Sequence, residues 1–279
     1  MITTRQQRYI EDYAYVPEHL SQYVTAISQT EPFLIDEFLI YAKKDRLIFV
    51  GYPLEENFNE RQLIRSLENA IKRFKPKEIA LTAPSIPSSI NGRPRPPSDY
   101  YYRLDLSTLS ISQKLRNMLK RAGRELFVEK NKNFDEEHRK MVEEFVKAHP
   151  VDEATRLIFQ RIGKYLSSSK TAWVFNARNR IGNLVAFDVA EFGPNDYAIY
   201  MFNFSSDALY VPGASDLLLY QLIQQARTER KKYINLGLGI NPGVTFFKKK
   251  WGGAIFYPYT FCFYDRSGEE ILEVLLPKL

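Results

Sequence analysis

Near the end of the chain, Phe247-Lys248-Lys249-Lys250-Trp251-Gly252-Gly253 sets three lysines between aromatic residues, just after the turn Gly239-Ile240-Asn241-Pro242-Gly243. Earlier, Val211-Pro212-Gly213-Ala214-Ser215-Asp216 opens a Leu-rich run. A lysine can stabilise a developing oxyanion, and free N–H groups at a helix start can hold an anion such as a phosphate. Acyl transfer to an amine needs both, together with a group that handles a proton. Lys248 is the candidate cation. Successive helical residues point to different faces, so one or two of Lys248, Lys249 and Lys250 can face a site while the others form a solvated basic face. Gly213, Ala214 and Ser215 form either a phosphate cradle or an ordinary strand-to-helix turn with Ser215 in its first turn. Trp251 either stacks on a base or packs in an apolar hinge. For the proton, Asp188 and Tyr200 are the candidates, on successive strands near Glu191 and Asn203.

Other chemistries find less support. His19, His138 and His149 lack the spacing of a metal pair, and Cys262 is the single cysteine, so no structural zinc site is expected. No G-x-S-x-G elbow is present, and Gly237-Leu238-Gly239 lacks the third glycine of a dinucleotide fingerprint. A lone cysteine also excludes an internal disulfide framework and suits a reducing cytoplasm. The N-terminal stretch has no apolar leader core, and no apolar run reaches membrane-spanning length, so a cytoplasmic protein without membrane insertion is expected. A net charge of +6 permits a phosphate-rich partner without requiring one.

The elements that must position these residues follow from periodicity. At 44% hydrophobic the chain can bury a real core, and its 18 Tyr and 19 Phe favour sheet. Pro17 opens a short helix carrying Leu20, Tyr23 and Ile27. Phe38–Ala42 and Leu47–Tyr52 read as a hairpin, Asn59 as the cap of a helix ended by Pro76, and Glu78–Ala83 as a strand. Residues 83–98 form a Pro-rich loop offering Arg93 and Arg95 to a ligand or serving as a connector. After a strand at Tyr100–Asp105, a helix from Ser112 puts Lys114, Arg116, Lys120, Arg121 and Arg124 outward, able to track phosphates or simply solvated. A strand from Leu126, a helix capped by Asp135 and a second helix over 153–166 precede a three-stranded antiparallel meander at 171–204. A helix with Leu218, Leu219, Leu222, Ile223 and Ala226 on one face leads to a buried strand at 232–237, and Ile255–Asp265 is the last strand.

The order of the second half resembles the acyl-CoA N-acyltransferase (GNAT) fold, whose Q/R-x-x-G-x-G/A turn holds the cofactor pyrophosphate. Tyr210, Gly213 and Ser215 stand at its defining positions, and Gly213 matches. Leu104-Asp105-Leu106-Ser107, the basic helix through Lys120-Arg121-Ala122, Pro212-Gly213 before the Leu-rich helix, and Phe247-Lys248-x-x-Trp251-Gly252 are together similar to the Fem-type transferases. They are also similar to the C-terminal domain of lysylphosphatidylglycerol synthetases. That resemblance implies an α/β (α+β layered) protein of two GNAT-like domains in tandem, with mixed sheets flanked by helices. Residues 1–105 would be a degenerate first domain, and 106–279 a second domain holding the donor. It implies that Phe247 and Lys248 meet the terminal adenosine and ester of an aminoacyl-tRNA, with no tightly bound cofactor and a small-molecule or peptide amine as acceptor. A conventional acyl-coenzyme A transferase and a non-catalytic binding protein on the same scaffold are the alternatives.

Overall fold

The computed structural model describes residues 2–55, 57–87 and 98–265. Arg93 and Arg95 lie outside the described residues. In chain order the elements are α1 (Thr4–Tyr13), a 3-10 turn (Pro17–His19), α2 (Ser21–Ser28), β1 (Glu31–Ile35), β2 (Phe38–Lys43), β3 (Arg46–Val50), α3 (Glu60–Phe74), β4 (Glu78–Ala83) and β5 (Asp99–Asp105). There follow α4 (Gln113–Glu125), β6 (Leu126–Asn131), α5 (Glu136–Ala148), α6 (Glu153–Gln160), α7 (Ile162–Ser168), β7 (Ala172–Asn179), β8 (Leu184–Glu191) and β9 (Tyr197–Ser205). The last are α8 (Ala214–Thr228), β10 (Tyr233–Leu238), α9 (Pro242–Lys250) and β11 (Ala254–Asp265). Among the described residues no helix is long and apolar enough to cross a membrane.

These elements form two compact units that interleave along the sequence. One takes the residues up to 102, then 238–248 and 254 onwards; the other takes 103–237 and 249–253. β11 therefore sits in the unit built by the first hundred or so residues.

The first unit carries the strand order β1-β2-β3-β4-β11. The expected hairpin forms, with Lys43 opposite Arg46 and Lys44 in the left-handed region of the turn. Asn59 caps α3 as expected, its side chain accepting from the N–H groups of Arg61 and Gln62. α3 lays Leu63, Leu67, Ala70 and Ile71 on a core with Phe38, Ile40, Phe49 and Leu81, and Cys262 of β11 is buried in it. Two elements were not read from the sequence. α1 is almost wholly polar, with Ile10 its one fully buried side chain, and holds by a capping box between Thr3 and Gln6. β1 is short and only half-buried.

The second unit carries the order β10-β9-β8-β7-β6, antiparallel from β6 to β9 as the meander predicts. The single helix expected over 153–166 is two, α6 and α7, broken at Arg161 (φ −104°, ψ 6°). Gly163 lies just beyond the break, where an added Cβ would come within 3.0 Å of the Phe134 ring, so the chain is drawn close to its neighbour there.

Each unit contains a strand, a crossover helix and a parallel strand, and the two differ in one respect. β3 and β4, joined through α3, pair from Arg46↔Glu78 to Val50↔Thr82, the full length of β3. The Gly51 N–H then extends the contact by donating to Thr82 O at 2.6 Å. Gly51 has no room for a side chain, since a Cβ would lie 2.7 Å from that of Ala83. β9 and β10, joined through α8, pair only at Tyr197↔Tyr233, Ala198↔Ile234 and Ile199↔Asn235. Past Ile199 these two strands part.

In the first unit His19 is fully buried, with Nε2–H donating to Tyr52 O at 2.9 Å and Nδ1 accepting from Tyr15 N at 3.4 Å. Burial lowers its pKa to about 4 from the ordinary 6.5. As pH falls from 6.5 to 4 the unfolded chain gains a proton that the folded one refuses, so stability drops by about 3 kcal/mol across that window. Urea unfolding of wild type and His19→Gln over this range is expected to show that loss in wild type only. Parallel profiles for the two proteins would contradict it.

Candidate functional site

β8 is buried at every position, yet an aspartate stands in its middle. Asp188 Oδ1 accepts from Asn203 Nδ2 at 2.6 Å and from the Tyr200 hydroxyl at 3.3 Å. Its other oxygen, Oδ2, is buried without a hydrogen-bond partner. Burial holds this carboxyl well above the usual carboxylate range, against the lowering effect of its two donors. Tyr200 is pushed well above the usual phenol range, first by burial and then by Asp188.

A bulge makes this cluster possible. Val189 faces Phe202 while Ala190 faces Tyr200, so Met201 is an extra residue on β9. In a regular strand Tyr200 and Asn203 would point to opposite faces of the sheet. The extra residue brings both onto Asp188. Asn203 Oδ1 in turn accepts from Ser215 Oγ at 3.2 Å, which ties β8 and β9 to the first turn of α8.

The start of α8 has no side-chain cap. Its N-cap, Gly213, adopts φ +85°, where an L side chain is strained, and a Cβ there would lie 2.9 Å from Met118 Cγ of α4. Ala214 is buried, and its N–H donates to Val211 O at 3.1 Å. The uncapped first turn offers main-chain donors at the positive end of the helix dipole. Asp216, also buried, accepts from Trp251 Nε1 at 2.9 Å and pairs with Lys250 Nζ at 2.6 Å. Trp251 is 1% exposed, so its ring is packed, and the indole N–H is a fastening for α8.

The remaining two predicted residues belong to the first unit. Phe247 is half-buried. Lys248 is 3% exposed; its Nζ donates to Leu238 O and lies 5.9 Å from the centre of the Tyr102 ring. Burial lowers its pKa to about 7, with the charge of Asp99 opposing the shift. Asp99 also accepts from the N–H groups of Gly239 (3.0 Å) and Ile240 (2.7 Å), fixing the turn before α9.

The structure thus gathers Asp188, Tyr200 and Ser215 in one hydrogen-bonded chain and sets Gly213 and Ala214 beside it. It fastens Trp251 to the same helix turn. Asn203 and Asp216 join these contacts although the sequence reading gave them no role, as does Lys250, one of the three lysines of which one or two were expected to face a site; an asparagine on the strand after a buried aspartate was the available signal. Elsewhere in this unit, Asp135, Glu137 and His138 lie close enough to share an ion. They already serve the chain: His138 pairs with Asp135 at 2.7 Å at the start of α5, and Glu137 pairs with Arg178. A depression of about 390 Å³ lies near the C-terminal end of α8, lined by residues that include Ser107, Arg227, Arg230, Lys232 and Tyr233, and none of the predicted residues reaches it.

No protein-family model matches this sequence, and no curated protein matches it. Solved structures do share its fold. L-PGS from Bacillus licheniformis is 14% identical, with 99% of this chain and 96% of that one aligned at a TM-score of 0.59. FemX is 11% identical over 92% of this chain and 95% of that one, at 0.60. A tandem GNAT protein from the clavulanic acid biosynthesis pathway is 13% identical over 83% and 79%, at 0.51. The likeness is one of fold. The mixed α/β, GNAT-like architecture expected from the sequence is the one observed.

Lys248 also makes a thermodynamic prediction. Between pH 10.5 and 7 the unfolded chain holds a proton at this lysine that the folded protein lacks, so wild-type stability rises with pH through that window. Lys248→Met removes the buried ammonium and is expected to be the more stable protein at pH 7. The gap should shrink by as much as about 5 kcal/mol towards pH 10. Urea titrations at several pH values check this; a gap independent of pH would contradict it.

Proposed function

We propose that the protein transfers an aminoacyl group from the 3′ end of a charged tRNA to an amine acceptor, with the donor held in the second half of the chain. The observation that supports this most is the parting of β9 from β10 beside an uncapped α8, with Tyr200, Asp188, Asn203 and Ser215 linked across the same strands. A parted pair of parallel strands leaves main-chain groups and side chains accessible where a continuous ladder would cover them. The helix start supplies main-chain donors for the terminal phosphate.

On this reading the acceptor nitrogen attacks the ester carbonyl, the bond from that carbon to the ribose oxygen breaks, and an amide forms. Tyr200 donates its hydroxyl proton to the leaving ribose oxygen. Asp188 Oδ1, which accepts from that hydroxyl at 3.3 Å, holds it in position. The proton shed by the attacking amine balances the exchange. Lys248 and Phe247, which the Fem-type resemblance assigns to the ester and the terminal adenosine, belong to the first unit and enter none of these steps. The first unit acts as support: the complete β3/β4 ladder and the filled position at Gly51 agree with a degenerate first domain.

Acetyl-coenzyme A is the competing donor, because Gly213 and the open helix start would also suit a pyrophosphate. Titration with charged tRNA and with acetyl-coenzyme A separates the two. The expected result is saturable, transfer-competent binding of charged tRNA. Tyr200→Phe should then lower the transfer rate by about 10²–10⁴-fold while leaving donor affinity within a few-fold. Transfer from acetyl-coenzyme A alone, or a Tyr200→Phe protein as fast as wild type, would contradict the assignment.

A further inference from the structure

We infer that the solvent face of α4 is an RNA-docking surface that receives the phosphate backbone near the donor's 3′ end. This rests on the reading just given and names where the body of the donor lies. Lys114, Arg116, Lys120, Arg121 and Arg124 are all exposed. None of the five has an acidic partner among the described residues. Arg180, also exposed, donates to the carbonyls of Arg124 (2.9 Å) and Gly123 (3.2 Å) and adds its charge at the helix end.

Only Arg124 and Arg180 suit the helix, at the C-terminal end where its dipole favours a cation. α4 has no acidic residue in its first turn, and Lys114 stands there at the positive end of the dipole. Arg116, Lys120 and Arg124 repel one another at successive turns, about 6 Å apart along the axis. The neighbouring surface helix α5 is built the ordinary way, with Arg139 paired to Glu136 at 3.6 Å and Lys140 to Glu144 at 4.0 Å. Three of the four cations around the depression near the end of α8, all but Arg230, are also committed. Arg227 contacts Leu106 O at 3.5 Å, Lys231 donates to Pro194 O at 2.7 Å, and Lys232 pairs with Asp196 at 2.9 Å.

Position supports the same partner. The inner face of α4 meets the start of α8, with Met118 and Ala122 beside Gly213. A strand whose last phosphate sits on α8 therefore has a row of unpaired cations within reach of the next ones. An anionic bilayer fits less well: α4 turns Leu115 and Ala122 inward, where they are buried, and keeps them from insertion.

The test measures binding of labelled, uncharged tRNA to wild type and to the triple variant Arg116→Gln/Lys120→Gln/Arg124→Gln between 50 and 200 mM KCl. The variant is expected to bind about tenfold or more weakly at low salt, with a log–log salt slope lower by about 2–3. Its melting temperature should match or exceed that of wild type, since the replaced side chains are exposed and mutually repelling. Arg139→Gln/Lys140→Gln on α5 should bind as wild type does. Equal affinity and slope for the triple variant would overturn the proposal, as would a defect confined to phosphatidylglycerol vesicles with tRNA binding intact. Transfer from a short 3′-aminoacyl-adenosine donor tests the functional reading separately. If α4-dependent tRNA binding occurs without that transfer, the docking surface stands and the assigned reaction fails.

Discussion

The structure of the second unit depends on a hydrogen-bond ladder that stops early. Parallel strands joined by a helix normally stay paired along their length, because each unpaired N–H and C=O kept from water costs free energy. β3 and β4 obey this, and Gly51 lets their backbones continue together past the strand end. β9 and β10 do not, and a nine-residue strand with three paired positions must find other partners for the rest. The Met201 bulge, the Asp188 cluster and the start of α8 all lie where that pairing has ended. Two similar crossovers in one chain thus serve different ends, one closed for packing and one left open.

Burial of ionisable groups takes two forms. His19 is deep in the first unit with both ring nitrogens used, and its lowered pKa is the signature of a packed, neutral imidazole. Asp188 and Lys248 are also shifted towards their neutral forms by burial, but each keeps an unusual feature. Asp188 has one oxygen with no partner, and Lys248 has a pKa near neutrality that lets both of its forms coexist. Groups of this kind are costly to keep, and such costs concentrate at working sites.

Much of this was legible in the residues. The Phe38–Val50 hairpin, the Asn59 cap, the meander and α8 followed from turn chemistry and periodicity, since local preference and packing agree there. Asp188 and Tyr200 could be nominated from residue type, but their contact depends on an extra residue at Met201. A bulge shifts the side-chain period by one without marking the sequence. The break at Arg161 lies two residues before Gly163, which sits against Phe134, a residue distant along the chain, and no local signal marks it. α1 was missed because it buries little. The Asp216 contacts with Lys250 and Trp251 join segments far apart in sequence, and neither stretch signals the other.

The central claim is that the start of α8, uncovered by the short β9/β10 ladder, is where a donor is held. Hydrogen–deuterium exchange of backbone amides, with and without a non-hydrolysable 3′-aminoacylamino-adenosine, tests it most directly. Slower exchange is predicted over residues 213–216 and along β9 beyond Ile199, with the β3/β4 crossover unchanged. Protection that appears elsewhere and leaves 213–216 untouched would contradict it.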